Sequence, residues 1–133
     1  MSLASSFIED SAVSIIPVFQ IKEGHTMADC QPFLSECARL VKEKEPNCFT
    51  YSVVVKDDQT FSLREAYKSA DDLLYHMEVV TPTLMKLAEH ADVVDMDIHG
   101  AEEQLDKLMH RLGHFKPKLW KLQSGGVRNT KSY

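Results

Sequence analysis

The chain reads as an α+β domain of element order βαββαβ with a helix and a strand added at its C-terminal end. Three observations predict this. Four short stretches are rich in β-branched and aromatic residues, as strands are. Between the first and second, and again between the third and fourth, apolar residues recur at helical spacing. Turn residues fall at the boundaries, including Glu23-Gly24, Pro46-Asn47 and Lys56-Asp57-Asp58-Gln59. A length of 133 residues suits one domain with a real core, and 44% hydrophobic with 26% charged residues is a globular composition, so the chain is expected to fold by burial.

Strand one is expected from Val13 to Ile21. Ile15, Phe19 and Ile21 share one parity and Ile16 and Val18 the other, as in a strand covered on both faces. Pro17 lacks an N–H, so it should lie at a bulge or face a side without a ladder partner. Helix one should run from about Met27 to Glu45, on the stripe Phe33, Leu34, Cys37, Leu40 and Val41. Cys48 to Val55 and Thr60 to Tyr67 form a hairpin. Ser69 is the N-cap of helix two, with Asp71 and Asp72 suitably charged for its first turn. Its buried face is Leu73, Leu74, Met77, Val80, Leu84, Leu87 and Ala88, and Thr81-Pro82-Thr83 should kink or split it. Strand four spans Ala91 to His99. There Val94, Met96 and Ile98 form one face, and Asp95, Asp97 and His99 form either a polar cavity wall or an exposed face.

After Gly100 a third helix, about Ala101 to Leu112, carries Leu105, Leu108, Met109 and Leu112, with Gly113 as its C′ residue. Lys116 to Gln123 alternates like a strand and holds the single tryptophan, Trp120. The organisation expected is residues 1–12 disordered, one domain at 13–123 (core 13–100, extension 101–123), and a flexible tail at 124–133. A βαββαβ unit is a ferredoxin-like antiparallel sheet with both helices on one face. Strand one is apolar on both parities, so the second face also needs cover, and the expected cover is the sheet of a second copy. The extension is expected to pack on that partner.

Charge bounds the partners. Lys116, Lys118, Lys121, Arg128 and Lys131 give the last eighteen residues +5, which leaves −10 on the remainder of a chain of net −5. An acidic body argues against binding a phosphate backbone, so no nucleic-acid partner is expected, and the basic tail should dock on an acidic surface of the same protein or its partner. No run reaches the ~18 apolar residues of a membrane span, and Met1 to Ala12 lacks the pattern of a signal peptide. Cys30, Cys37 and Cys48 are an odd number without CxxC, which fits a reducing cytoplasm and no disulfide framework.

Four segments carry a family resemblance across about Val13 to Gly100. They are the strand Ser14-Ile-Ile-Pro-Val-Phe-Gln-Ile21, the strand end Phe61-Ser-Leu-Arg-Glu-Ala-Tyr67, His76 eleven residues after Glu65, and Asp97-Ile-His-Gly100. On these the sequence resembles the antibiotic-biosynthesis-monooxygenase-like group of dimeric α+β barrels. The resemblance implies two subunits joined sheet to sheet, each with a cavity between sheet and helices for a small hydrophobic or aromatic ligand. Members include monooxygenases that oxidise quinols or phenols without metal or flavin, so the expected cofactor is none. His76 is then the candidate base, because a phenol or quinol must lose a proton before it passes an electron to dioxygen and imidazole titrates near neutrality. Phe19, Glu65, Tyr67 and Tyr75 are the expected substrate contacts. Haem degradation is not expected, since strand one lacks the Asn, and helix two the Trp, of that branch.

Two classes of function stay open on the sequence. One is a cofactor-independent monooxygenase; the other is a non-catalytic dimeric binding or scaffold protein, in which His76 would bond Glu65 or a strand carbonyl. What separates them is whether His76 faces a ligand-sized cavity with room for dioxygen. His110 and His114 have the i, i+4 spacing of metal ligands but no sensible third ligand, and no metal is expected. Cys37 belongs to the apolar stripe and should pack as a small hydrophobe. No P-loop, GxGxxG, GxSxG or HExxH occurs.

Overall fold

A computed structural model describes residues 10–123. The elements are β1 (Val13–Ile21), α1 (Met27–Lys44), β2 (Cys48–Asp57), β3 (Thr60–Tyr67), α2 (Ala70–Leu87), β4 (Ala91–Gly100), α3 (Glu102–Leu112), a 3-10 turn (Gly113–Phe115) and β5 (Lys118–Lys121). The expected elements are all there, in the expected order. Residues 1–9 and 124–133, with Arg128 and Lys131, lie outside the described residues. Asp10 to Ala12, assigned by sequence to the N-terminal segment, are tied down: the Ser11 hydroxyl donates to the Lys68 carbonyl at 2.7 Å.

The sheet order is β2-β3-β1-β4-β5. The first four strands form the antiparallel ferredoxin-like order, and β5 is added parallel to β4. The sheet does not close on itself. In β1 the odd-numbered residues from Val13 to Ile21 are buried beneath the helices, while Ser14, Ile16 and Val18 are half-buried on the other face. Pro17 sits in a central strand, where its missing N–H is met by an interruption: the β1–β3 pairs pass from Ile15–Glu65 to Val18–Ser62. Its carbonyl accepts from the Ser62 hydroxyl at 2.7 Å.

Helix starts follow capping chemistry. Thr26 and Asp29 make a reciprocal capping box on α1, and the Ser69 hydroxyl accepts from the Asp72 N–H on α2. α2 is not split at Pro82 but runs as one helix through it. The Thr81 hydroxyl donates to the Met77 carbonyl, and Val80 and Leu87 are buried on either side of the proline. Val94 is exposed rather than aligned with Met96 and Ile98, because the β1–β4 register slips between Val18–Asp95 and Phe19–Val93 and bulges it outward. Gly113 has φ −60 and is no left-handed cap; that conformation falls on Lys116, φ 53. Cys37 is fully buried beside Val41 and Val80, and all three cysteines are free.

The extension differs most from expectation. Leu105, Leu108 and Leu112 of α3 are buried in the chain's own core with Val13, Ile15, Leu73, Met96 and Ile98. Gly100 lets the chain turn there, since a Cβ on it would come within 3.0 Å of Val13 Cγ1. Gln104 Oε1 then accepts the Ala70 N–H at 2.8 Å and caps the start of α2. The third helix therefore joins the first two on the same face instead of reaching for a partner. The open face keeps Ile16, Val18, Val54 and Trp120. There Asp95 and Asp97 hold the basic extension: Lys118 Nζ lies 3.0 Å from Asp95 Oδ2, and Trp120 Nε1 donates to Asp97 Oδ1 at 2.8 Å. Acidic body and basic segment thus meet within one chain.

Candidate active site

His76 lies on the buried face of α2, two turns into the helix and below the end of β3. Its Nδ1 is 2.8 and 3.0 Å from the two oxygens of Glu45, and its Nε2 is 3.3 Å from Glu65 Oε1. Glu65 Oε1 also accepts the Tyr67 hydroxyl at 2.7 Å. All are out of water: Glu45 and Glu65 are 6% exposed, His76 3% and Tyr67 fully buried. The alternation of β3 places Glu65 and Tyr67 on its helix face, next to Leu63 and Phe61. Glu45 arrives from the C-terminal cap of α1, whose backbone N–H is still bonded to Val41.

Burial dominates the electrostatics. Desolvation pushes the carboxyls of Glu45 and Glu65 up to about 7 and the His76 imidazole down to about 4. Both shifts favour neutral groups over buried charges. With Glu45 ionised, it accepts Nδ1–H and fixes the tautomer, so that Nε2 presents its lone pair toward a protonated Glu65. Moving that one proton gives an imidazolium between two carboxylates, with an unchanged proton count. The arrangement can pass a proton between Nε2 and Glu65. Around it burial raises the hydroxyls of Tyr51 and Tyr67 above the ordinary tyrosine range and the thiols of Cys37 and Cys48 to about 11, which keeps all four protonated. The Tyr51 hydroxyl is buried without a hydrogen-bond partner among the described residues, and its ring stands 5.5 Å from that of His76.

Glu65, His76 and Tyr51 are the polar residues in the wall of an apolar cavity of about 60 Å³, otherwise lined by residues such as Pro17, Met77, Met96 and Leu112. A space of this size takes dioxygen or a few waters. A larger, open chamber of about 310 Å³ adjoins it and shares Phe19, Leu84, Val93 and Phe115 with it. Phe19 is stacked on Phe61 at 4.8 Å between centroids. Leu112 and Phe115 bring the C-terminal extension over this inner space. On the other side of the cluster, Glu45 and Tyr67 line a separate outer pocket of about 300 Å³ with Asp72 and Tyr75.

Of the residues expected from sequence, the structure brings His76, Glu65 and Phe19 to the inner cavity. Tyr67 supports Glu65 from behind, and Tyr75, 46% exposed, belongs to the outer pocket. Sequence reasoning missed Glu45, Tyr51, Leu112 and Phe115. Tyr51 could have been found from the Tyr51, Val53, Val55 alternation; Glu45 has no local signal. His110 and His114 are both exposed at the end of α3 and the turn after it.

No protein-family model matches the sequence, and no curated protein matches it at a significant level. Solved structures do match, and by them the chain has the ferredoxin-like α+β fold of the antibiotic-biosynthesis-monooxygenase-like proteins. It is similar to MupZ from Pseudomonas fluorescens, with 27% identity, a TM-score of 0.73, and coverage of 90% of this chain and 96% of that one. SnoaB from Streptomyces nogalater, a cofactor-independent oxygenase, matches at 10% identity and TM-score 0.59, covering 69% of this chain and 94% of its own. A Caulobacter crescentus CB15 protein assigned as an antibiotic biosynthesis monooxygenase gives 15% and 0.62, covering 69% and 91%. The βαββαβ unit is about two thirds of this chain, so the MupZ match runs beyond it.

Proposed function

We propose that this chain is a cofactor-independent monooxygenase acting on a small aromatic or quinol-type substrate. The observation that carries the reading is the Glu45–His76–Glu65 cluster in the wall of a cavity that is dioxygen-sized inside and ring-sized at its mouth. The substrate ring occupies the outer chamber against Phe19 and Phe115, with its hydroxyl toward Glu65. The imidazole, backed by Glu45, draws the Glu65 proton onto Nε2, the freed Glu65 carboxylate takes the hydroxyl proton, and the resulting anion is electron-rich enough to reduce dioxygen in the inner space. Apolar walls keep water from the reactive anion. The oxygenase name of SnoaB supports this choice within a fold that hosts several chemistries.

One observation favours a second reading. Two carboxyls raised to about 7 beside an imidazole can give and take a proton without any redox partner, so the same site suits an isomerisation, hydrolysis or ring closure that consumes no oxygen. An oxygen electrode with a panel of small quinols and phenols decides. Uptake at one equivalent per substrate, lost in His76→Ala, is the expected result. Substrate conversion without uptake would select the second reading, and tight ligand binding with no conversion would select a non-catalytic binding protein.

The proposal includes a homodimer joined through the open sheet face, where Ile16 and Val18 of β1 and Val54 of β2 flank Ser62 of the intervening β3. Val18→Asp places a charge in that face and is expected to yield a folded monomer in light scattering. A wild-type chain that is monomeric at about 100 μM would sink the dimer. No helix among the described residues is long and apolar enough to cross a membrane.

A further inference from the structure

The turn after β1 and the turn before β4 lie side by side, because Ile21 pairs with Ala91. Each carries a histidine. His25 Nδ1 is 2.9 Å from His90 Nδ1, and a carboxylate oxygen of Asp29 completes a set whose three ligand atoms all lie within 4.8 Å of one another. From this juxtaposition we propose that His25, Asp29 and His90 bind a divalent transition-metal ion of the zinc and nickel class, at a site separate from the Glu45–His76–Glu65 cluster.

The approach of two like nitrogens is the first reason. As a bare hydrogen bond the pair needs one imidazole protonated at Nδ1 and the other not. A cation in the shared lone-pair direction satisfies both nitrogens in the same form. With metal–nitrogen bonds of about 2.0–2.1 Å, two nitrogens on a tetrahedral ion stand about 3.3 Å apart, so the rings need open only a few tenths of an ångström.

Preorganisation is the second. Phe33 stacks on His90 with ring centroids 5.5 Å apart and planes 19° from parallel. The His90 carbonyl accepts the Lys22 N–H at 2.9 Å, and the His25 N–H donates to the Lys22 carbonyl at 3.0 Å, so one residue braces both turns. The Thr26 N–H donates to Asp29 Oδ2 at 2.8 Å and holds this carboxyl below its ordinary range, which keeps it ionised. Two imidazoles and one carboxylate suit zinc, nickel or cobalt, whereas magnesium and calcium take oxygen ligands. Three protein ligands at a half-exposed position leave the other coordination positions to water.

An ion there would tie the two turns together next to Ala91 and Asp92, which line the outer chamber of the cavity. The test is calorimetric titration of the untagged full chain with zinc chloride and with nickel chloride at about pH 7.5. One equivalent should bind and raise the unfolding temperature, since an ion held only by the folded state stabilises it. His25→Ala and His90→Ala should each weaken binding at least about tenfold, and Asp29→Asn less, while circular dichroism shows all three folded. A His110→Ala/His114→Ala variant should bind like the wild type. Zinc binding unchanged in a folded His25→Ala/His90→Ala variant, or no uptake up to about 1 mM metal, would overturn the proposal.

Discussion

Glu65→Gln is expected to lower turnover by about 10²–10⁴-fold while making the folded chain harder to unfold above neutral pH. The amide keeps an oxygen to accept the Tyr67 hydroxyl but can neither take nor give a proton. The stability effect follows from linkage. Glu65 titrates near 4.5 when unfolded and about 7 when folded, so between those values the unfolded chain has lost a proton that the folded chain retains. Stability from this group is full below pH 4.5 and is lost as pH rises through about 7. Glu45 has the same sign. His76 has the opposite one: lowered from 6.5 to about 4, it contributes above 6.5 and loses that contribution as pH falls through about 4. Two carboxyls outweigh one imidazole, and stability should fall from about pH 4.5 to about 7. Glutamine removes the share of Glu65, worth up to about 3 kcal/mol at pH 8. Urea midpoints of both proteins at pH 5 and pH 8 check this. A difference of equal size at both values would mean that Glu65 does not titrate as a buried group. Activity lost together with stability gained is what a residue kept for chemistry at a structural cost should show.

Leu108→Ala is the second large effect. Leu108 is fully buried between α2 and the sheet, and the cavity left behind should cost about 2–5 kcal/mol out of a total of about 5–15. Truncation after Gly100 removes Leu105, Leu108 and Leu112 together, along with the Gln104 cap of α2, so the shortened chain should show no cooperative thermal transition. Calorimetry of both variants measures this. A truncated chain that melts like the full one would show that α3 is an accessory.

Much of the fold was legible because its signals are local. The β-branched run of β1, the hairpin, the Ser69 cap and the Leu105, Leu108, Leu112 stripe each state their element within a few residues. What the stripe packs against is not local: an amphipathic helix looks the same whether its cover is a partner subunit or the residues Leu73 and Ile98 of its own chain. The site divides the same way. His76 and Glu65 came with the family resemblance, as an acid near the end of strand three and a histidine on the helix that follows. Glu45 reads as an ordinary solvated acid at a helix terminus, and only the return of the chain through β2 and β3 buries it against His76. Phe115 follows a helix and precedes a proline, and nothing in that neighbourhood announces a residue over a cavity.

Because Glu45 and Tyr67 border one pocket while His76 and Glu65 border another, the imidazole stands in the partition between two compartments with different doors. In the proposed reaction, ligand traffic takes the door beside Phe115 and hydrogen-ion traffic the one beside Tyr75. A bound molecule that plugs the first leaves the second free, so the base can be reset while product is still in place, and the order of product departure and recharging is not imposed by the architecture.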